Sequence, residues 1–267
     1  GMPPVFRYPE AAVHALAGMV RHAERVQSPA IARPGSARRS PIVERSIAGG
    51  GGFLAAQDAF ALLAEAGVPV AAPQAATAAD DVAAVARSIG FPLVLKAFGP
   101  GLVHKSELGA VAVGLRDEGE VEAARAGMAA RLAAAGVSPE GYLLQRMVAG
   151  GREVILGITR DPQVGALVMC GLGGVAVEAL RDVAFRPAPL SVDDAEAMLG
   201  ELRGKALLGA FRGRKPADRA ALVGALLALG ALAAAHPEIA ECDVNPLLLL
   251  DEGQGCVAVD VRVRIER

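Results

Sequence analysis

The chain has 267 residues, 53% of them hydrophobic but only 3% aromatic, and no tryptophan. Its core must therefore be filled by Ala, Val and Leu, packed closely without large aromatic anchors. A formal charge of −2, with acids and bases mixed along the chain, argues against a nucleic-acid or anionic-lipid surface, and no apolar run is long enough to span a membrane.

Residues 9 to 26 carry Ala12, Leu16, Met19 and Val20 at helical spacing, and the Pro/Ser/Gly-rich basic stretch from Gln27 to Pro41 follows as a linker. A helix is expected over Leu54 to Ala66, stopped at Gly67, with a short extended piece at Val68 to Val70. Thr77 and Asp80 resemble a capping box that opens a helix to Ser88. Strands are expected at Leu93 to Ala97 and Val111 to Leu115, then a helix at Glu118 to Ala135. Further strands fall at Tyr142 to Val148, Glu153 to Thr159, Ala166 to Met169 and Ala176 to Ala179, and helices at Val192 to Leu202 and Ala217 to Ala235. The chain closes in a hairpin, Leu247 to Leu250 against Val257 to Val263. The alternation implies an α/β (α+β) architecture: an N-terminal helix and linker over 1–45, a first subdomain over 46–140, a second over 141–267, and a cleft between the two subdomains.

Four features point to chemistry. Lys96 lies in the otherwise apolar strand PLVLKA. It either snorkels at the strand end or meets an anion such as a phosphate, because burying an unpaired ammonium is costly. The loop AFGPGLVHKSELG, 97–109, nearly spells a Walker A motif, but His104 stands where the second glycine belongs. His104 is then either a surface histidine or a phosphoryl acceptor, since a neutral imidazole is a competent nucleophile near pH 7. The turn Gly171 to Gly174 is either a plain tight turn or a backbone cradle for phosphate.

The fourth is the hairpin. With a loop at Glu252 to Gly255, Leu247 faces Asp260 and Asn245 faces Arg262, so Asn245 and Asp260 share a side as diagonal neighbours about 7–8 Å apart. Two hard oxygen donors at that spacing suit Mg²⁺ brought in with nucleotide phosphates, and Asp243 lies two residues before Asn245. A slip of one residue would put the pair on opposite faces.

Taken in order, PLVLKA, GPGLVHKSELGAVAVGL, LLQRMVAGGREVILGITRDPQVGALVMCGLGGVAVEAL, and ECDVNPLLLL with VAVDVRV closely resemble the ATP-grasp part of the ADP-forming acyl-CoA synthetases, relatives of succinyl-CoA synthetase. The resemblance runs from about Ile47 to the C-terminus. It implies an ATP-grasp fold with two subdomains gripping ATP or ADP with Mg²⁺. By that resemblance Lys96 contacts the phosphates, Gln145, Arg146, Met147 and Val148 hold the adenine at the hinge, and Glu153 lies near the nucleotide. Asn245 and Asp260 match the metal pair, His104 the phosphate-relaying histidine, and Asp243 an acidic residue that assists it. The implied reaction is acyl-CoA + ADP + phosphate ⇌ carboxylate + CoA + ATP, through acyl phosphate and phosphohistidine.

The CoA-binding and ligase domains of such enzymes, with their primary phosphohistidine, are not found in the sequence. A CoA-binding partner subunit or domain is therefore expected, and a hetero- or homo-oligomer fits. The alternative is a nucleotide-sensing, non-catalytic module of a protein acetyltransferase system. The three widely spaced cysteines, Cys170, Cys242 and Cys256, suit a reducing cytoplasmic compartment.

Overall fold

The structure, a computed structural model, describes residues 39–77, 82–99, 102, 108–174, 182–211 and 213–267, together with Val13 and Leu16. It divides into two units, Gly1–Ser36 and Ala37–Arg267. In the first unit Val13 and Leu16 are helical, and Leu16 is 59% exposed. The remainder of the helix expected over 9–26 lies outside the described residues.

The second unit is built on two antiparallel sheets. The elements run α1 (Pro41–Ala48), β1 (Gly52–Phe53), α2 (Ala56–Glu65), β2 (Gln74–Thr77), α3 (Val82–Ile89), β3 (Leu93–Phe98), β4 (Val111–Leu115), α4 (Glu118–Ala134) and β5 (Gly141–Arg146). They continue with β6 (Arg152–Asp161), β7 (Gly165–Leu172), β8 (Val183–Pro187), α5 (Val192–Glu201), a 3₁₀ turn (Lys205–Leu208), α6 (Arg219–Ala235), β9 (Ile239–Leu249), β10 (Cys256–Ala258) and β11 (Val261–Ile265). The small sheet has the order β2-β5-β3-β4. The large sheet has the order β1-β11-β9-β6-β7-β8, with β10 also on β9.

Each sheet has its own core. Leu93, Leu95 and Ala97 of β3 and Leu144 of β5 pack with Val82 and Ala86 of α3 and Val121, Met128 and Leu132 of α4. On the large sheet, Val154, Leu156 and Ile158 of β6 and Cys242, Val244 and Leu247 of β9 join Phe60, Leu62 and Leu63 of α2, Met198 and Leu199 of α5, and Leu222, Leu226 and Leu229 of α6. These helices thus share one face of that sheet. The period-2 alternation of the strands sends Glu153, Asp243 and Arg262 to the other face.

Local chemistry sets the element ends. Ser40 caps α1 through its hydroxyl, which accepts from Ile42 N at 3.2 Å, and Pro41 opens the helix. Asp117 caps α4, Ser191 and Asp194 form a capping box on α5, and Asp218 caps α6. Gly90, with φ 83°, ends α3 in the left-handed region that glycine alone adopts freely.

Several expectations shift. Residues Pro41 to Ala48, expected in and just after the linker, form a helix whose Ile42 and Val43 are buried. Strands β2 and β8 were not expected, while the strand expected at Ala176 to Ala179 falls outside the described residues, as does Asp80 of the expected capping box. Gly171 and Leu172 finish β7 rather than forming a turn. Strand β9 starts at Ile239, eight residues before the hairpin strand expected from Leu247. A division at 140/141 does not follow the sheets, because β5 pairs with β2 and β3, and residues 41–66 pack on the large sheet.

Candidate functional site

Lys96 sits in mid-strand on β3, opposite Leu143 of β5 and Val111 of β4, and only 9% of it is exposed. Its ammonium reaches across to the large sheet, donating to Val259 O at 2.8 Å and lying 3.4 Å from Asp260 Oδ2. The buried charge is therefore matched inside the protein, by the Asp260 carboxylate and a backbone carbonyl rather than by snorkelling to solvent. What the contact does is bring a cation of one sheet to a carboxylate of the other, 164 positions away in sequence.

The hairpin differs from expectation in register. Its loop is Asp251 to Gln254, closed by Leu250 N donating to Gly255 O at 3.0 Å, so Leu247 faces Ala258 and Val244 faces Val261. Asn245 thus lies directly opposite Asp260, not diagonal to it, and its N–H donates to Asp260 O at 3.1 Å. The two-residue change in register preserves the strand parity.

Core packing gives the reason. Val244 and Leu247 are both buried though three apart, as are Ala258 and Val261. Each strand must therefore spend two residues between core positions. On β9 these are Asn245 and Pro246, where the pairing with β6 shifts between Val154 and Leu156. Opposite them stand Val259 and Asp260. The paired irregularity frees Asp260 from the regular ladder and lets it meet Lys96.

Asp243, on the open face of β9, pairs with Gly157 and Arg262. Burial pushes its carboxyl above the usual carboxylate range, with Glu241 and Asp260 adding to the rise and Arg262 opposing it. The guanidinium of Arg262 also sits 4.0 Å over the Phe53 ring. Nothing in the sequence singled out Arg262, because its place beside Asp243 depends on strand pairing.

The expected hinge begins where β5 ends. Arg146 and Met147 are exposed and Val148 half-buried, and Met147 N donates to Pro92 O at 3.0 Å. Gln145 is different: it is 2% exposed, and its Nε2 donates to Ala71 O. Glu153 is exposed on β6, paired with Leu248, and its carbonyl accepts from Gly173 N at 2.7 Å. A Cβ on Gly173 would come within 2.8 Å of Glu153 Cβ, so glycine there permits the close approach. His104 lies outside the described residues.

Among the described residues no cluster of three or more His, Cys, Asp or Glu gathers as a metal cage. Asn245 and Asp260 face each other in register, and each carries a hard side-chain oxygen, the donor type that suits Mg²⁺ completed by phosphate oxygens rather than a dedicated protein site. A separate groove of about 460 Å³ lies at the opposite end of β6, β9 and β11, lined by residues such as Thr159, Arg160, Glu238, Glu241 and Arg264. It contains none of Lys96, Asp243, Asn245 and Asp260, and several of its charges are paired locally, Arg264 with Glu241 and Glu266, and Glu238 with Arg39. No helix among the described residues is long and apolar enough to cross a membrane.

The chain is similar to several known proteins. Residues 45–265 match the ATP-grasp domain family model. The chain is 38% identical over 199 residues to the β subunit of acetate–CoA ligase [ADP-forming] I of Pyrococcus furiosus, covering 74% of this chain and 85% of that protein. It is 36% identical over 263 residues to acetate–CoA ligase [ADP-forming] I of Archaeoglobus fulgidus, covering 95% of this chain but 38% of the relative's length.

The fold is similar to dinucleotide-forming acetyl-coenzyme A synthetase 1 of Ca. Korarchaeum cryptofilum, solved with coenzyme A and Ca-AMPCP, at a TM-score of 0.77 and 38% identity over 84% of this chain and 98% of that one. The same protein with coenzyme A and Mg-AMPPCP, its phosphohistidine segment pointing towards the nucleotide binding site, gives 0.72 and 38% over the same shares.

Proposed function

The chain belongs to the ATP-grasp domain family, alongside the β subunits of ADP-forming acetate–CoA ligases, and from that membership we propose that it is the nucleotide-binding, phosphoryl-transferring part of an ADP-forming acyl-CoA synthetase. The two lobes of the grasp are the part built on β2 to β5 and the part built on the large sheet. The observation that carries the reading is the meeting of Lys96, Asp260 and Asn245, drawn from both sheets.

In this reading Lys96 turns from Asp260 to the phosphates when nucleotide enters. Asn245 and Asp260 hold Mg²⁺, which supplies charge neutralisation on the phosphates when bound. Arg146, Met147 and Val148 line the adenine, and Glu153 lies beside the nucleotide. His104 accepts the phosphoryl group on an imidazole nitrogen as the donor P–O or P–N bond breaks. It then yields the group to a terminal oxygen of ADP, with cleavage of its own N–P bond. Asp243, whose carboxyl is held above its usual range, assists that histidine.

The overall reaction is acyl-CoA + ADP + phosphate ⇌ carboxylate + CoA + ATP. A CoA-binding, ligase-type subunit or domain carrying the primary phosphohistidine supplies the remaining steps. Relatives whose β subunit is a separate chain and relatives about two and a half times as long both support that division. A cytoplasmic setting agrees with three free, buried thiols.

Titration calorimetry with ADP, with and without Mg²⁺, on the unaltered chain and on Asp260→Ala tests the proposal. Metal-dependent binding lost in the variant is the expected result. A folded chain that binds no nucleotide under either condition would overturn it.

A further inference from the structure

The chain crosses between its two sheets at two places, residues 66–73 and 147–151. The first crossing is pinned to the large sheet at one residue of β10. Ala258 N donates to Pro69 O at 2.8 Å and Ala71 N donates to Ala258 O at 3.0 Å, framing a parallel bridge between Val70 and Ala258. The same crossing is pinned to the small sheet by Gln145, whose Nε2 donates to Ala71 O from the end of β5. Ala258 is followed by Val259 and Asp260, which receive Lys96.

Gln145 is nearly sealed from solvent at 2% exposure. A buried amide is destabilising unless its polar atoms find partners. An aliphatic side chain of similar volume would serve packing equally well, so the polar choice is explained by the Ala71 carbonyl. The resulting path runs from the strand that enters the hinge, through one side-chain bond and two backbone bonds, to a residue two positions before Asp260. It spans the two ends of the proposed nucleotide site.

We propose that Gln145 is a positioning residue that fixes Asp260 relative to the adenine hinge through Ala71 and Ala258, without touching the nucleotide itself. The proposal rests on the reading of function given above. Its consequence is a selective one: loosening Gln145 weakens the metal-linked phosphate grip and leaves the adenine grip in place.

The test uses the full chain with Gln145→Met, which keeps the volume and removes the amide. Affinity for ADP with Mg²⁺ falls about tenfold, the scale of one buried hydrogen bond, while affinity for ADP without metal changes by less than about twofold. Hydrogen exchange at the Ala71 and Ala258 amides accelerates. Equal losses with and without Mg²⁺ would mean direct contact with the nucleotide, and unchanged exchange at both amides would mean no tether; either overturns the inference.

Gln145→Glu provides a second variant of the same shape. Its protonated form can donate to Ala71 O as the amide does, so its affinity relative to the unaltered chain recovers as pH is lowered. Indifference to pH counts against the tether. Should the unaltered chain bind no ADP at all, the proposed function falls, and the exchange rates still decide whether Gln145 holds Ala71 and Ala258.

Discussion

The ammonium of Lys96 and the carboxylate of Asp260 lie 3.4 Å apart across two sheets, and Lys96 is the more buried partner, its side chain 11% exposed against 41% for Asp260. The asymmetry has a chemical use. Asp260 keeps access to solvent, while Lys96 is held by Val259 O. Under the proposed function, the ammonium competes with an arriving metal for the carboxylate until nucleotide enters.

Lys96→Met should therefore move two affinities in opposite directions. Binding of ADP with Mg²⁺ weakens by about tenfold or more, because a charge-assisted contact to phosphate is lost. Binding of Mg²⁺ alone strengthens, because the competing cation is gone. Calorimetry with each ligand measures both, and a loss of both affinities would show that the ammonium does not compete with metal. The folded state should lose only about 1 kcal/mol, since the remaining carboxylate is partly solvated.

Gly173→Ala tests the close approach beside Glu153. The added methyl carbon would stand 2.8 Å from Glu153 Cβ and 3.1 Å from its carbonyl oxygen, and the backbone atoms there cannot rotate away. A loss of about 1–3 kcal/mol in urea unfolding is expected, together with weaker nucleotide binding if Glu153 is displaced.

Asp218 joins two elements at once. Its carboxylate accepts from Ala221 N at 3.0 Å as the cap of α6 and from Gly255 N at 2.8 Å in the hairpin turn. These backbone donors hold its carboxyl below the usual range. A group that ionises more easily when folded contributes stability above its unfolded pKa and loses it as pH falls through the folded value. Asp218→Ala should cost about 1–2 kcal/mol at neutral pH, with the difference from the unaltered chain shrinking below about pH 4. Chemical denaturation at several pH values would reveal a constant difference if the carboxylate charge were irrelevant.

His236 has the opposite dependence on charge. It is 3% exposed at the end of α6, and burial, opposed by Glu238, lowers the pKa of its imidazole. The unfolded chain then takes up the proton first. Stability is complete above about pH 6.5, the ordinary histidine value, and is lost as pH falls from there through the folded value. The unfolding free energy of His236→Leu should vary less with pH across that window, and an imidazole NMR titration should give a pKa below the ordinary one.

The sequence by itself determined the elements whose signal is local. Alternation and apolar runs placed β3, β4, β6 and β7, helix-forming runs placed α2, α4, α5 and α6, with Gly67 marking the stop after α2, and Gly253 with its neighbours placed the last turn. It also carried the identities of Lys96, Asn245 and Asp260, because charged or amide side chains inside apolar strands stand out against their surroundings. The elements it did not show are those with weak local signals. Strand β2, QAAT, is too short and too rich in alanine to display a period, and α1 carries its Ser-Pro start inside a stretch with the composition of a linker.

Tertiary structure alone decided the relations between these pieces. Register was one, since Asn245 came to face Asp260 only when Val244, Leu247, Ala258 and Val261 all had to reach one core. The partner of Lys96 was another, because a contact across 164 positions leaves no trace in a local window. The direction of Gln145 was a third: nothing in QRMV distinguishes a side chain turned to a ligand from one turned to a backbone carbonyl. Periodicity fixes which face a residue occupies within its own strand. What that face meets depends on how separate strands pack, and that is set by the shared burial of residues far apart in the chain.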